Sequence, residues 1–298
     1  QMPYGIIGVT LLTAIMPRMS RNAADGDDAA VVADLTMGTK LTFIALIPII
    51  IFMTALGPDI AHALFAYGSF SPRAAHLLGM TISASSFTLI PYALVMLHLR
   101  VFYAREEAWT PTFIIAGITG TKILLSALAP YIAQDPSHVV VLLGAANGFG
   151  FVAGALIGAL LLRRKLGTLR AGDVLRTSIW AVAAALVGVA VIFGVRWLLR
   201  DVAGLHLPEA LGRVIGAPSL GNLIEVVMLG LLFLVVTGLV LSRSKLPEVQ
   251  NLGRALQRIP GLSRFIRPDE DRALEVGEAD PRDVSNQFLA ADTFNASP

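Results

Sequence analysis

One lysine stands where an apolar helix would cross a membrane. Lys122 lies about eleven residues into the stretch that begins at Pro111, which at 1.5 Å per residue puts it roughly 16 Å deep, near the middle of a bilayer. An ammonium there costs on the order of 3 kcal/mol on insertion scales. It must face a wet cavity, pair with an acid, or bind an anion. The plainer reading is a lysine whose span boundary is shifted and which snorkels to an interface. Ser126 and Asn147 are polar side chains at comparable depths: ligand contacts by one reading, interhelical hydrogen-bonding groups by the commoner one. Glu225, about one turn into a later stretch, reads as an acid at the outer headgroup level.

The remaining chemistry is mostly excluded. With no cysteine, thiolate nucleophiles, disulfides and thiolate metal sites are out. His62, His76, His98, His138 and His206 fall near span ends, and no pair has metal-ligand spacing. No Gly-x-Ser-x-Gly elbow and no Walker-type phosphate loop is present. Acids and histidines do not cluster on the apolar stretches, so neither an enzyme, a cofactor, a metal nor a nucleic-acid partner is expected.

The elements that must position these residues are apolar and long. Of 298 residues, 55% are hydrophobic and 15% charged, and the mean hydropathy is +0.70; a soluble domain carries about 25% charged residues. An all-α integral membrane protein of about seven spans is predicted. The first apolar stretch, Gly5–Met16, is short and ends at Pro17; Gln1 is no initiator and no basic n-region precedes the stretch, so the chain is expected to start inside a helix already under way. A polar turn around Asp25–Asp28 and a short interfacial helix should follow. The further spans are predicted at Leu41–Leu56, Ala74–Leu99, Pro111–Ala129, Val139–Leu162, Ile179–Leu199 and Leu223–Leu241. Ser83, Ser85, Ser86 and Thr88 precede Pro91, and Gly144, Gly148, Gly150, Gly154 and Gly158 give the fifth span a small-residue face for close packing. Pro48, Pro91, Gly117 and Gly120 mark places for bending. Two domains are expected: a transmembrane lobe over 1–242, and a tail over 243–298 that is basic, then acidic, and partly disordered.

Lysine and arginine set the orientation. One side collects Arg18, Arg21, Lys40, Arg100, Arg105, Arg163, Arg164, Lys165, Arg170, Arg176, Arg243 and Lys245, and the other only Arg73, Arg196, Arg200 and Arg213. The first set, and with it the C-terminus, is expected in the cytoplasm.

Three segments carry a resemblance. Gln1-Met2-Pro3-Tyr4-Gly5-Ile6-Ile7-Gly8-Val9 leading to Ile15-Met16-Pro17-Arg18-Met19-Ser20, Leu64-Phe65-Ala66-Tyr67-Gly68-Ser69-Phe70, and Phe102-Tyr103-Ala104-Arg105 followed by Thr110-Pro111 resemble, in order and spacing, segments of the MurJ (MviN) family of lipid II flippases. The similarity covers about 1–165, whereas 178–242 match in hydropathy and position only. Glu106-Glu107-Ala108-Trp109 departs from the family's Asp-containing turn.

The resemblance implies the second lobe of the fourteen-span fold of the multidrug/oligosaccharidyl-lipid/polysaccharide exporter superfamily: the end of span eight and spans nine to fourteen. It implies alternating-access transport of a polyprenyl-pyrophosphate-linked cell-wall precursor across the cytoplasmic membrane. The implied partners are that lipid, membrane lipids, an N-terminal lobe of the same protein, and a cytoplasmic regulatory partner reached through the tail, as in actinobacterial relatives. It places a groove for the isoprenoid tail on the last two spans. The family's cavity arginines precede Gln1, so none carries over. Alternatives are another exporter of the superfamily, moving a polysaccharide lipid or a drug, and a membrane scaffold acting through its tail. A retinal protein is disfavoured because 223–241 contains no lysine.

Overall fold

The structure, a computed structural model, describes residues 15–65, 71–133, 136–202, 204, 208 and 218–244. The motif at 1–9, most of the 64–70 segment and the tail beyond 244 lie outside the described residues. The chain divides into one compact unit, residues 1–250, which holds every described residue, and a second, residues 251–298.

Eight α-helices are described. Helix α1 (residues 15–24) ends in a turn at Asp25-Gly26, where glycine supplies a φ of +72°. Asp27 then caps the next helix, its Oδ1 accepting from the Ala30 N–H at 2.9 Å. That helix, α2 (Asp28–Phe65), runs unbroken through the region expected to hold a separate interfacial helix. The apolar pattern continues from Val31 without a breaking residue, and the turn alone separates α1 from α2. At 38 residues α2 outruns a bilayer, and it bends at Leu56, whose φ of −114° and ψ of 18° leave the helical range just before Gly57-Pro58. Pro48 lies within helical backbone, so the bend is one turn-pair later than that proline suggested.

Ser71 caps α3 (Pro72–Ser85) through its hydroxyl, with Pro72 at the first position. A 3₁₀ turn (Ser86–Thr88) relieves the helix ahead of Pro91 before α4 (Leu89–Ala104) continues the same span. Then come α5 (Trp109–Ile132), α6 (Pro136–Leu166), α7 (Ala171–Trp197) with a π turn at Leu198–Val202, and α8 (Pro218–Ser242). Gly117 and Gly120 sit inside α5 without interrupting it. Six of these segments are long and apolar enough to cross a membrane. On α5, exposed Trp109 and Tyr131 bracket about 33 Å of helix, the separation of the two aromatic belts of a bilayer. Exposed Phe113, Ile123, Leu186, Phe193, Leu231 and Leu234 would be costly in water and suit hydrocarbon.

Helix α2 is the spine. One side of it packs with α3 and α4, and through α4 with the α5–α6 pair, around Val31, Leu46, Val95, Phe102, Ile114 and Phe151. The other side receives α7 and α8 around Leu56, Ala185, Ile192, Leu229 and Phe233. The approaches are close where residues are small. A Cβ on Gly57 would lie 2.6 Å from the Gly79 carbonyl oxygen, and one on Gly79 only 2.3 Å from Pro58 Cα, so α2 and α3 cross backbone to backbone beside the bend. The glycines of α6 serve two neighbours: Gly144, Gly148 and Gly158 meet α3, the 3₁₀ turn and α4, while Gly150 meets α5 and Gly154 both α5 and α4.

Candidate functional site

Lys122 lies about 20 Å along α5, past the middle of the helix. Its stem crosses α6 at Gly150, where a Cβ would come within 2.4 Å of Lys122 Cγ. The ammonium sits 3.7 Å from the centroid of the Phe151 ring. A cation over an aromatic face gains about 0.5–2 kcal/mol, the more so when desolvated. Among the described residues no carboxylate pairs with it. Phe151 is buried and takes the edge of Tyr92 at 4.9 Å. Tyr92 in turn lines a cavity of about 210 Å³ with Asn147, Ser85, Ser86 and Thr88. The buried Thr88 hydroxyl has no hydrogen-bond partner, and the Ser86 hydroxyl bonds back to the Ile82 carbonyl at 2.6 Å.

Lys122 and Asn147 therefore stand on facing helices, linked through Phe151 and Tyr92, with Asn147 one turn before Phe151 on α6. Ser126 is half-buried one turn beyond Lys122 on the same side of α5. The arrangement offers a cation on an aromatic platform beside hydroxyl and amide groups. It can hold an anionic or hydroxylated group.

The Phe102–Pro111 segment forms a separate cluster at the end of the bundle where α4, α5 and α6 meet α2. Phe102 is fully buried and Pro111 is buried, while Tyr103 is half exposed. Arg105 pairs through Nη1 with Asp28 at the start of α2 and reaches Glu107 at 4.0 Å. Glu107 accepts from the Thr110 hydroxyl at 3.0 Å and pairs with Lys165 at the end of α6. Burial alone would raise the Glu107 carboxyl. The Lys165 and Thr110 hydrogen bonds and the charges of Lys165 and Arg105 outweigh it and hold the group below its ordinary value. Its contribution is thus complete above the ordinary glutamate range and lost as pH falls through and below that range. Glu107→Gln should flatten the acid limb of a pH–stability profile of the purified protein, and an unchanged limb would refute the linkage.

The turn itself is a Schellman cap. The Glu106 N–H bonds to the Tyr103 carbonyl and the Glu107 N–H to the Phe102 carbonyl, both at 3.0 Å, with Glu106 at φ +59°. That left-handed position suits glycine. Glu106→Gly should raise stability by about 1 kcal/mol, read as a higher unfolding midpoint in detergent.

A third cluster escaped the sequence reading. Arg196, counted there among the orienting cations at the end of the sixth span, lies in the last turn of α7. It donates from Nη1 to Asp59 Oδ2 at 3.1 Å and from Nη2 to Asp59 Oδ1 at 2.8 Å, while its Nε lies 3.3 Å from Glu225 Oε1. Glu225 is buried within the bundle. The three residues tie α7 to α8 and to the part of α2 beyond the bend. The signal was present only as an acid just after Gly57-Pro58, and nothing linear connects it to a residue 137 positions later. His98, toward the end of α4, is buried, with Nδ1 unpartnered. Among the described residues no three His, Asp or Glu side chains converge as a metal site.

Residues 1–207 match the family described as lipid II flippase MurJ. The chain belongs to that family. The match reaches beyond the three quoted segments into α7, so likeness past residue 178 is more than hydropathy. A probable lipid II flippase MurJ of Synechocystis sp. is 27% identical over 256 residues, 85% of this chain and 45% of that protein. Another from Rhizobium meliloti is 26% identical over 199 residues, 66% of this chain and 36% of its own length. A solved structure of lipid II flippase MurJ, in an inward closed conformation, superposes with a TM-score of 0.56 and 18% identity over 80% of this chain and 44% of that one. This likeness establishes the fold, an all-α helical bundle of the MurJ type; the family match and the six apolar helices make it part of a multi-pass protein of the inner membrane. The chain spans under half the length of these MurJ relatives.

Proposed function

We propose that this chain is the C-terminal lobe of a flippase that moves lipid II, the polyprenyl-pyrophosphate-linked peptidoglycan precursor, across the cytoplasmic membrane by alternating access. The carrying observation is Lys122, a mid-span cation set on Phe151 and left without a carboxylate among the described residues. A cation that costs this much to place and is not neutralised by any described residue is available to an anionic group from elsewhere, and a pyrophosphate is such a group. Asn147 and Ser126 contribute polar contacts beside it. The apolar faces of α7 and α8 suit an isoprenoid chain. Lys122, Asn147 and Ser126 are the substrate contacts of this reading, and Phe102, Tyr103, Arg105, Thr110 and Pro111 form the turn that holds α4, α5 and α6 to α2. The transmembrane lobe ends at 242. Residues 243–298 form a cytoplasmic tail able to dock a regulatory partner, and an N-terminal lobe supplies the remainder of the cavity.

The test is the appearance of lipid II at the outer face in cells depleted of the full-length protein. Transport should fall when the protein is withdrawn and return with it, and undiminished lipid II outside would refute the reading. The orientation is checked separately. Reporter tags at Thr168 and Gly204 should report cytoplasm and exterior respectively, and the same compartment for both would overturn the topology.

A further inference from the structure

A cavity of about 520 Å³, larger than the one beside Tyr92, has no part in the Lys122 site. It lies between α6 and α7, which pack on α4 and α2 respectively, not on one another. Its floor is Leu35–Phe43 of α2 and Leu94–His98 of α4, and its rim is the start of α7 with Arg170. From Leu35 to Phe43 it extends about 12 Å along α2, within the ~15 Å of a single leaflet's hydrocarbon.

The lining is chemically one-sided. Its hydroxyls are spent on their own helices: Thr36 bonds to the Val32 carbonyl at 2.7 Å, Thr39 to the Leu35 carbonyl at 2.8 Å and Ser178 to the Val174 carbonyl at 2.8 Å. A sugar or a water file would find few open hydrogen-bonding groups there. Two polar groups remain. Arg170 at the rim is exposed and has no ion-pair partner among the described residues, and the flanking helix ends add Arg163 and Arg164 on α6 and Arg176 on α7. His98, on the wall about 9 Å below the end of α4, is only 5% exposed, and its Nδ1 has no partner.

We propose that this cavity binds one acyl chain of an anionic glycerophospholipid of the cytoplasmic leaflet, with the phosphate on Arg170 and the ester region at the level of His98. The basic rim selects an anionic headgroup, and a basic pocket between helices on the cytoplasmic side is the expected form of such a site. The apolar wall takes the chain, and the one-leaflet depth favours an acyl chain over a long isoprenoid. The leaflet named here rests on the orientation proposed above; the binding itself does not.

The experiment is native mass spectrometry of the full-length protein in detergent, titrated with phosphatidylglycerol or with phosphatidylcholine of the same chains. The expected result is at least one phosphatidylglycerol retained about tenfold more strongly than phosphatidylcholine. Arg170→Gln should abolish the preference, and Ala159→Phe, which fills the cavity, should lower retention of both. Equal retention of the two lipids by the unaltered protein would overturn the proposal, as would full preference in both variants. Displacement of the bound phospholipid by a polyprenyl phosphate at equal concentration would also overturn it and assign the cavity to an isoprenoid. A well-folded Arg170→Gln protein is recognised by an unchanged unfolding midpoint. Because binding is read without transport, a failure here leaves the flippase reading standing, and a transport failure leaves this one standing.

Discussion

Replacing Arg196 with alanine should destabilise the lobe by on the order of 3 kcal/mol, because it strands two carboxylates that share one guanidinium. The fork to Asp59 is bidentate, the strongest geometry available to an arginine and a carboxylate. Glu225 is the more deeply buried acid, and it depends on the remaining Nε. The loss should appear as a lower unfolding midpoint of the full-length protein in detergent. It should also be largely reversed by adding Asp59→Asn and Glu225→Gln, which remove the stranded charges while keeping shape. If the triple variant melts with the single one, the cost lies in packing of the arginine stem and the electrostatic account is wrong. Position adds to the expected effect. Beyond the Leu56 bend, the end of α2 is held by close crossing with α3 on one side and by this triad on the other, so weakening the triad frees the segment that links α3 to α7 and α8.

Lys122→Met in the full-length protein should abolish complementation while insertion and melting stay near normal. Removing a charged hydrogen-bond donor from a pyrophosphate costs about 2 kcal/mol, or roughly thirtyfold in affinity. Stability should change little, since the attraction between the ammonium and the Phe151 ring is of similar size to the cost of holding that charge at mid-span. Lys122→Arg keeps the charge and should retain measurable transport. Normal growth on Lys122→Met alone would remove this residue from the substrate site. A melting point lowered in step with the growth defect would reassign it to packing.

Much of the lobe was legible in the order of residues. Span existence follows from composition: the fourth, fifth and seventh predicted spans fall inside α5, α6 and α8, and the sixth inside α7 together with its π turn, with displaced ends. The displacements have a common cause. Hydropathy registers where charge begins, whereas a helix continues until its backbone is capped. Thus α4 runs past Arg100 to Ala104 and stops at the Schellman turn. The α1–α2 region failed differently: polar residues read as a separate interfacial helix are the first turns of a spine whose N-terminal end buries Asp34, paired with Arg18 and accepting from Asn22 at 2.8 Å.

The candidate site was half legible. Lys122 announced itself because a lone cation in an apolar run is costly wherever the helix goes. Its seat on Phe151 was not announced, since an aromatic among glycines and alanines has no distinctive spacing. Arg196 looked like one more flanking cation, and nothing in the order of residues paired it with Glu225.

By itself, then, the amino-acid order determined that this chain crosses a membrane repeatedly, with its cations biased to one side, and that one ammonium is carried to mid-depth. Those properties are local sums over neighbouring residues, and hydrophobic transfer is a sum of that kind. Which distant groups meet was decided by tertiary packing alone: Asp59 and Glu225 on Arg196, Phe151 beneath Lys122, and a cavity left where α6 and α7 lean on different helices. Pairing energies depend on approach and burial, and neither is a property of residues adjacent in the chain.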